Sequence, residues 1–126
     1  MRYLGIDFGL RRIGLAVSEG SLASPLQTIK VKSFQNAVEK ILELVKRENY
    51  EEIIIGLPEG KIGKTVSGFI KALRKSGLKV KEADETLSSK DALRVMIDQG
   101  IPKGKRKVND EFAAAIILQN YIDSQI

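Results

Sequence analysis

The N-terminal segment, residues 1–17, contains two short apolar runs, Tyr3–Ile6 and Ile13–Val17, on either side of a polar centre that includes Gly9. Runs of this length around a glycine-containing turn are typical of a β-hairpin. Asp7 ends the first run, where a buried carboxylate is costly unless another group compensates its charge. Asp7 is therefore either a structural residue that caps the turn or a functional acid, and the hairpin alone leaves both readings open.

The apolar pattern after the hairpin alternates between strand and helix periods. Residues 20–25 are rich in serine and glycine and predict a turn, and the run Ile53–Ile55 predicts a strand buried on both faces. The predicted strands are Tyr3–Asp7, Ile13–Ser18, Leu26–Val31, Glu51–Gly56 and Leu78–Ala83. Residues 59–64, which include two glycines, are predicted to form a loop. The predicted helices are Phe34–Val45 with Ser33 as N-cap, Val66–Leu73 closed by Gly77, Ser88–Gln99, and Asn109–Ile122.

This order of elements predicts one α/β domain over residues 1–126, a length that suits a single core. Helices between the later strands imply right-handed crossovers, so strands 1, 4 and 5 should be parallel. Strand 2 should be antiparallel to strand 1 through the hairpin. The expected architecture is a five-stranded mixed sheet flanked by helices, with the third strand at an edge.

Three strand ends should meet at one edge of this sheet, where ligands bind in open α/β folds. They carry Asp7, the tight turn at Gly56 and Pro58, and the adjacent acids Asp84 and Glu85. The glycine and the turn would leave room for a ligand or a metal between the two acidic strand ends. The topology therefore brings acids together that are far apart in the sequence.

A further acid, Asp110, lies in line with the apolar face of the last predicted helix, three and four positions before Ala113 and Ala114. One interpretation is ordinary, since acids in a first helical turn complement the helix dipole. The other is a third carboxylate directed into the cleft, with the two alanines allowing the helix to approach the sheet closely.

The chain contains no histidine and no cysteine, which excludes imidazole bases, thiol nucleophiles and thiolate zinc sites. Any metal held by its side chains would be a hard cation on oxygen ligands, with Mg²⁺ or Mn²⁺ the best candidates. Three carboxylates from separate elements repel one another unless a cation binds them. Such a site suits metal-dependent hydrolysis of a phosphodiester.

The formal net charge is +5, and basic residues concentrate in two places. Arg11 and Arg12 lie in the hairpin turn, and a later cluster comprises Lys103, Lys105, Arg106 and Lys107. A basic cluster is either a solvated surface or a contact for nucleic acid. The sequence has neither a long apolar segment nor a signal-peptide pattern, so we expect a cytoplasmic protein without a membrane anchor.

Four motifs in order resemble the YqgF/RuvX family over nearly the whole chain. They are residues 5–9 with 12–16, residues 56–58, residues 84–89, and residues 110–118. The resemblance implies an RNase H-like fold similar to the RuvC resolvase. It also implies a nuclease that matures the 5′ end of pre-16S rRNA or a Holliday junction resolvase, acting with Mg²⁺ or Mn²⁺.

The resemblance assigns the acidic site to Asp7, the Asp84-Glu85 pair and Asp110, as catalytic and metal-binding residues. Adjacent side chains of a strand point to opposite faces, and Glu85 is preferred for its longer reach, with Asp84 as second choice. Gly9, Gly56 and Pro58 would form the loops of the site. The family usually has arginine where this chain has Thr86, which removes a possible phosphate contact.

Two other functions remain open at this level. A non-catalytic nucleic-acid-binding factor, acting in transcription or on the ribosome, could use the same fold. Residues 5–9 also resemble the first phosphate loop of sugar kinases and actin-like ATPases, but those proteins enclose ATP with a second domain. The sequence does not separate pre-rRNA from branched DNA as substrate, a monomer from a dimer, or Mg²⁺ from Mn²⁺, and ribosomal particles are possible partners.

Overall fold

The computed structural model describes residues 1–57, 62–84 and 110–125, which form one sheet and three helices. The strands are β1 (Tyr3–Asp7), β2 (Arg12–Ser18), β3 (Ser24–Lys30), β4 (Glu52–Leu57) and β5 (Val80–Asp84). The helices are α1 (Phe34–Glu48), α2 (Ile62–Lys75) and α3 (Asp110–Ser124). The predicted helix at 88–99 and the basic segment at 101–108 lie outside the described residues.

The strand order is β3-β2-β1-β4-β5, with β1 at the centre. β1 pairs with β4 and β4 with β5 in parallel, whereas β2 is antiparallel to both β1 and β3. The predicted mixed sheet is therefore confirmed, including the parallel set and the edge position of β3. The carboxyl ends of β1, β4 and β5 lie at one edge of the sheet, together with the start of β2 and the end of β3.

The two faces of the sheet are packed differently. Helices α1 and α2 cover one face through large side chains, among them Ile6, Leu15, Ile55 and Phe69, all fully buried. Helix α3 covers the other face through a core with more alanine, in which Ala16 and Ile54 of the sheet meet residues of α3. Ile53, Ile54 and Ile55 are all buried, as expected for a strand covered on both faces.

Both ends of helix α1 are capped by a polar residue. The Ser33 hydroxyl accepts a hydrogen bond from the Asn36 amide at 3.0 Å, which confirms the predicted N-cap. Asn49 ends the helix in the left-handed region at φ 56° and donates its N–H to the carbonyl of Val45. No helix in the described part of the chain has the length and apolarity needed to cross a membrane.

Several predicted boundaries were wrong by two or more residues, among them the starts of β3, α2 and β5. β3 begins at Ser24 rather than Leu26, so that Pro25 lies within the strand, opposite Ala16. Proline is tolerated there because an edge strand leaves one row of N–H positions without a neighbouring strand. α2 begins at Ile62, inside the predicted loop and one helical turn before Val66.

A buried carboxylate lies between α3 and the start of β4, at the opposite end from the acidic strand ends. Glu52 accepts a hydrogen bond from the Tyr121 hydroxyl at 2.9 Å, and the Lys79 ammonium lies 3.7 Å from its second oxygen. Burial of the phenol, followed by its hydrogen bond to Glu52, raises the pKa of Tyr121 to about 12. The pair therefore ties the end of α3 to the sheet.

We expect Tyr121→Phe to lower the free energy of unfolding at pH 7 by about 1–3 kcal/mol, because Glu52 loses its donor while remaining buried. In the wild type the unfolded tyrosine ionises near pH 10 and the folded one near 12, so stability falls as pH rises through this window. The variant should show a smaller fall. Urea unfolding at pH 7, 9 and 11 measures both effects.

Tyr3→Phe is the control, because it keeps the edge-to-face ring contact with Tyr121 at 6.4 Å and leaves the hydrogen bond to Glu52 intact. It should retain the wild-type loss of stability between pH 9 and 11. Identical pH profiles for Tyr121→Phe and the wild type would contradict the coupling.

Candidate active site

Asp7 is the last residue of the central strand, and its antiparallel partner on β2 is Gly14. The Cα atoms of such partners are about 4.5–5.5 Å apart. Asp7 is partly buried, and it is two positions after Gly5, which faces α3. Because side chains two apart in a strand share a face, Asp7 lies on the α3 side of the sheet.

Asp110, the first residue of α3, lies directly against Gly14. A Cβ atom built on Gly14 would be only 1.9 Å from the carbonyl oxygen of Asp110 and 2.7 Å from its Cβ. No side chain larger than hydrogen fits this gap without a shift of the helix or the strand. Gly14 therefore brings the starting turn of α3 onto the strand that pairs with Asp7, so that both acids lie beside one residue.

The close approach of α3 continues one turn further along the helix. A Cβ on Gly5 would be 2.8 Å from the Cβ of Leu118 and 3.0 Å from the carbonyl oxygen of Ala114. The sequence reasoning attributed this approach to small residues of the helix, Ala113 and Ala114, and missed the two glycines of the sheet. A signal was available, since Gly5 and Gly14 lie within apolar strand patterns where glycine marks a close backbone contact.

Arg12 lies beside the acids, with its Nε atom 3.4 Å from Oδ2 of Asp110. Both side chains reach solvent, with 66% of the arginine and 32% of the aspartate exposed. The pair is therefore accessible to a ligand, and its contribution to stability is small. Gly9 begins the turn that carries this arginine, and a Cβ on Gly9 would be 2.5 Å from the Arg12 carbonyl oxygen.

The described residues include only part of the predicted acidic site. The backbone of Asp84 ends β5 opposite Leu57, and Gly56 is buried in β4 opposite Ala83. Among the side chains that the structure describes, no three acidic residues are grouped so that they could hold a metal ion. Outside the described residues lie Glu85, Pro58, Lys103, Lys105, Arg106 and Lys107.

A basic groove of about 1020 Å³ opens beside Asp110, at the upper end of the size range for ligand pockets. We define it by its charged lining residues, which are Arg11, Arg12, Lys30, Lys32, Lys40 and Asp110. The two arginines were predicted to contact nucleic acid, whereas the three lysines were not identified from the sequence. Lys30 is the last residue of β3 and Lys32 lies two positions after it, at the same sheet edge as Asp7.

The sequence matches the family model described as "RuvX: Holliday junction resolvase" over residues 1–124. The chain belongs to the RuvX family. Among curated relatives, a protein of Endomicrobium trichonymphae named "Putative pre-16S rRNA nuclease" is 38% identical over 135 residues. That alignment covers 98% of this chain and 96% of the relative, so the likeness extends over nearly the whole length of both proteins.

Solved structures confirm the fold expected of a RuvX family member. The Fowlpox virus resolvase in complex with Holliday junction DNA matches with a TM-score of 0.71 at 16% identity, covering 100% of this chain and 99% of the viral one. The large terminase nuclease of phage G20c with bound magnesium matches with a TM-score of 0.60 at 12% identity, covering 96% of this chain and 80% of that one. The architecture is therefore RNase H-like, as the sequence motifs implied.

Proposed function

We propose that this RuvX family member is a nuclease that hydrolyses a phosphodiester bond during 5′-end maturation of pre-16S rRNA in the cytoplasm. The proposal rests on the fact that Asp7 and Asp110 both lie next to Gly14, beside Arg12 and the basic groove. Paired carboxylates next to a basic surface suit phosphodiester chemistry. The named function of the E. trichonymphae relative supports the choice of RNA.

The donors present at the site fit a hard divalent cation, Mg²⁺ or Mn²⁺. Asp7 and Asp110 supply carboxylate oxygens, which such cations prefer, and the chain has no softer histidine or cysteine ligand. The phage terminase nuclease, which shares the fold, binds magnesium in its solved structure. We propose Glu85 as the third ligand, because its side chain is longer than that of Asp84, which is the alternative.

In the proposed mechanism Asp7 and Asp110 would hold the cation, which when bound would activate a water and offset negative charge on the phosphate. The fixed strand end and the start of α3 orient the two carboxylates. Arg12, at 3.4 Å from Asp110, presents a planar guanidinium that can bind phosphate oxygens through two parallel hydrogen bonds. Its position beside the acids would align the bond to be cleaved.

Cleavage assays on two substrates test the proposal. We expect the wild-type protein to shorten the 5′ end of a pre-16S rRNA fragment in Mg²⁺ or Mn²⁺, and to lose this activity in EDTA until metal is restored. A gel with single-nucleotide resolution reports the product ends. Binding of the RNA with no cleavage under any of these conditions would contradict the proposal and favour a non-catalytic RNA-binding factor.

A four-way DNA junction is the second substrate, because the family model and the Fowlpox virus structure both carry the description of a Holliday junction resolvase. Symmetrical cleavage of the junction without processing of the RNA would assign the chain to DNA resolution instead. A resolvase that cuts two strands symmetrically acts as a dimer with paired sites, which sedimentation in the presence of the junction would detect.

A further inference from the structure

We propose that Lys30, Lys32 and Lys40 form an RNA-binding track, in which the basic groove holds the phosphodiester backbone of the strand next to the cleaved bond. The proposal rests on the proposed function, since it names where the substrate of that site lies. It adds three residues from β3, the following loop and α1 to the interaction surface. These residues are distant in sequence from both predicted basic clusters.

Two hydrogen bonds to backbone carbonyls fix the walls of the groove. The Val31 amide donates to the Arg11 carbonyl at 2.9 Å, which joins the end of β3 to the hairpin turn. The Lys40 ammonium donates to the Lys30 carbonyl at 2.7 Å, which holds this side chain of α1 across the same segment. Lys30 is also the register partner of Arg12. The cations therefore converge on one connected segment rather than lying on separate flexible loops.

The charges of the groove are largely uncompensated. Among the described lining residues five are basic and one is acidic, Asp110, which pairs with Arg12. In the described part of the chain, no ion pair involves Lys30, Lys32 or Lys40. Like charges placed together repel, and a bound polyanion relieves that repulsion. The charge balance therefore suits a phosphate backbone better than an isolated small anion.

The groove is continuous with the acidic site through the Arg12–Asp110 pair. An RNA strand with one phosphate at Asp7 and Asp110 would reach these lysines as it crosses the start of β2 and the end of β3. The described lining contains no aromatic side chain on which a base could stack. Recognition in the groove would therefore depend on phosphates, with little sequence preference and a strong dependence on salt.

The test is a groove variant in which Lys30, Lys32 and Lys40 are all changed to Gln, which removes three charges and keeps polar side chains. Binding of a fluorescent 20-nucleotide RNA from the pre-16S 5′ region is measured in EDTA, where cleavage does not interfere. We expect the affinity at about 0.1 M salt to fall at least tenfold. The slope of log affinity against log salt should fall by about 2, since each phosphate contact on a single strand contributes about 0.7.

A matched control variant changes Lys46, Lys71 and Lys75 to Gln, which are exposed, lie outside the groove and remove the same total charge. It should bind RNA within about twofold of the wild type, with an unchanged salt slope. Equal losses in the two variants would overturn the track and leave only a general effect of net charge. Circular dichroism melting of both variants shows whether either one is unfolded.

The outcomes also separate the track from the proposed function. If RNA binding depends on the three lysines but the wild-type protein cleaves no substrate in Mg²⁺ or Mn²⁺, the RNA-binding track is supported and the proposed nuclease activity is wrong. If the groove variant cleaves and binds RNA like the wild type, the nuclease proposal stands and the proposed RNA-binding track is wrong. A loss confined to four-way junction DNA, with RNA binding unchanged, would also overturn the proposal and point to branched DNA in the groove.

Discussion

Asp7→Asn is expected to lower the single-turnover rate of RNA cleavage by about three orders of magnitude, equivalent to about 4 kcal/mol of transition-state stabilisation. The amide keeps the size of the side chain but removes the negative charge that would bind a divalent cation. Because Asp7 is partly buried at the end of the central strand, the exchange should leave the fold intact. RNA affinity in EDTA should also stay within about threefold of wild type. Quenched-flow or gel-based time courses in Mg²⁺ measure the rate.

Asp123→Asn is the matched control, since it makes the same chemical change on an exposed residue near the opposite end of α3 from Asp110. The Asp123 carboxylate accepts a hydrogen bond from Gln119 at 2.9 Å, and an asparagine oxygen can accept the same bond. This variant should cleave at the wild-type rate. Wild-type turnover by Asp7→Asn would leave Asp7 as a structural residue of the turn.

Gly14→Ala should have the second largest effect, because it acts on stability and on the site together. The new methyl group would collide with the carbonyl of Asp110 at 1.9 Å, a backbone atom that cannot rotate away. Overpacking of this kind costs about 1–3 kcal/mol or more, and relief requires the start of α3 to move. We expect a lower free energy of unfolding in urea. The cleavage rate should fall at least tenfold in the fraction that remains folded, since Asp110 moves with the helix.

Gly20→Ala controls for the loss of glycine itself. A Cβ on Gly20 meets no atom within 4 Å, and the residue is exposed in the turn after β2. Its free energy of unfolding should stay within about 0.5 kcal/mol of wild type, or rise slightly as the unfolded chain becomes stiffer. Normal stability and normal cleavage by Gly14→Ala would show that the helix does not need this close contact.

Much of the fold was predictable because it depends on local rules. The hairpin follows from two apolar runs and a turn. The parallel arrangement of β1, β4 and β5 follows from right-handed crossovers through helices. The position of Asp7 at the edge where the parallel strands end could be predicted for the same reason. Glycine within an apolar strand pattern signals a close contact at Gly14, but its partner, Asp110 at the start of α3, could not be predicted, since it depends on how closely α3 packs against the sheet. That distance is set by two glycines on different strands.

The basic groove was missed for a related reason. Lys30 meets Arg12 only through the β2–β3 register, which shifts at a bulge between Leu15 and Ala16. The sequence marks neither the bulge nor the strand start at Ser24. Lys40 reaches the same segment from a helix whose position depends on the core beneath it. Charges that are scattered in the chain therefore become one surface only through tertiary structure.

The position of the two acids along the chain has a consequence for synthesis. Asp7 is in the first strand, whereas Asp110 begins the last described helix, and chains emerge from the ribosome with the N-terminal part first. The sheet and its first two helices can be made before α3 exists. A nascent or truncated chain that lacks α3 would hold one carboxylate without the other. Under the proposed function, the chain would therefore not cleave RNA before α3 packs against the sheet.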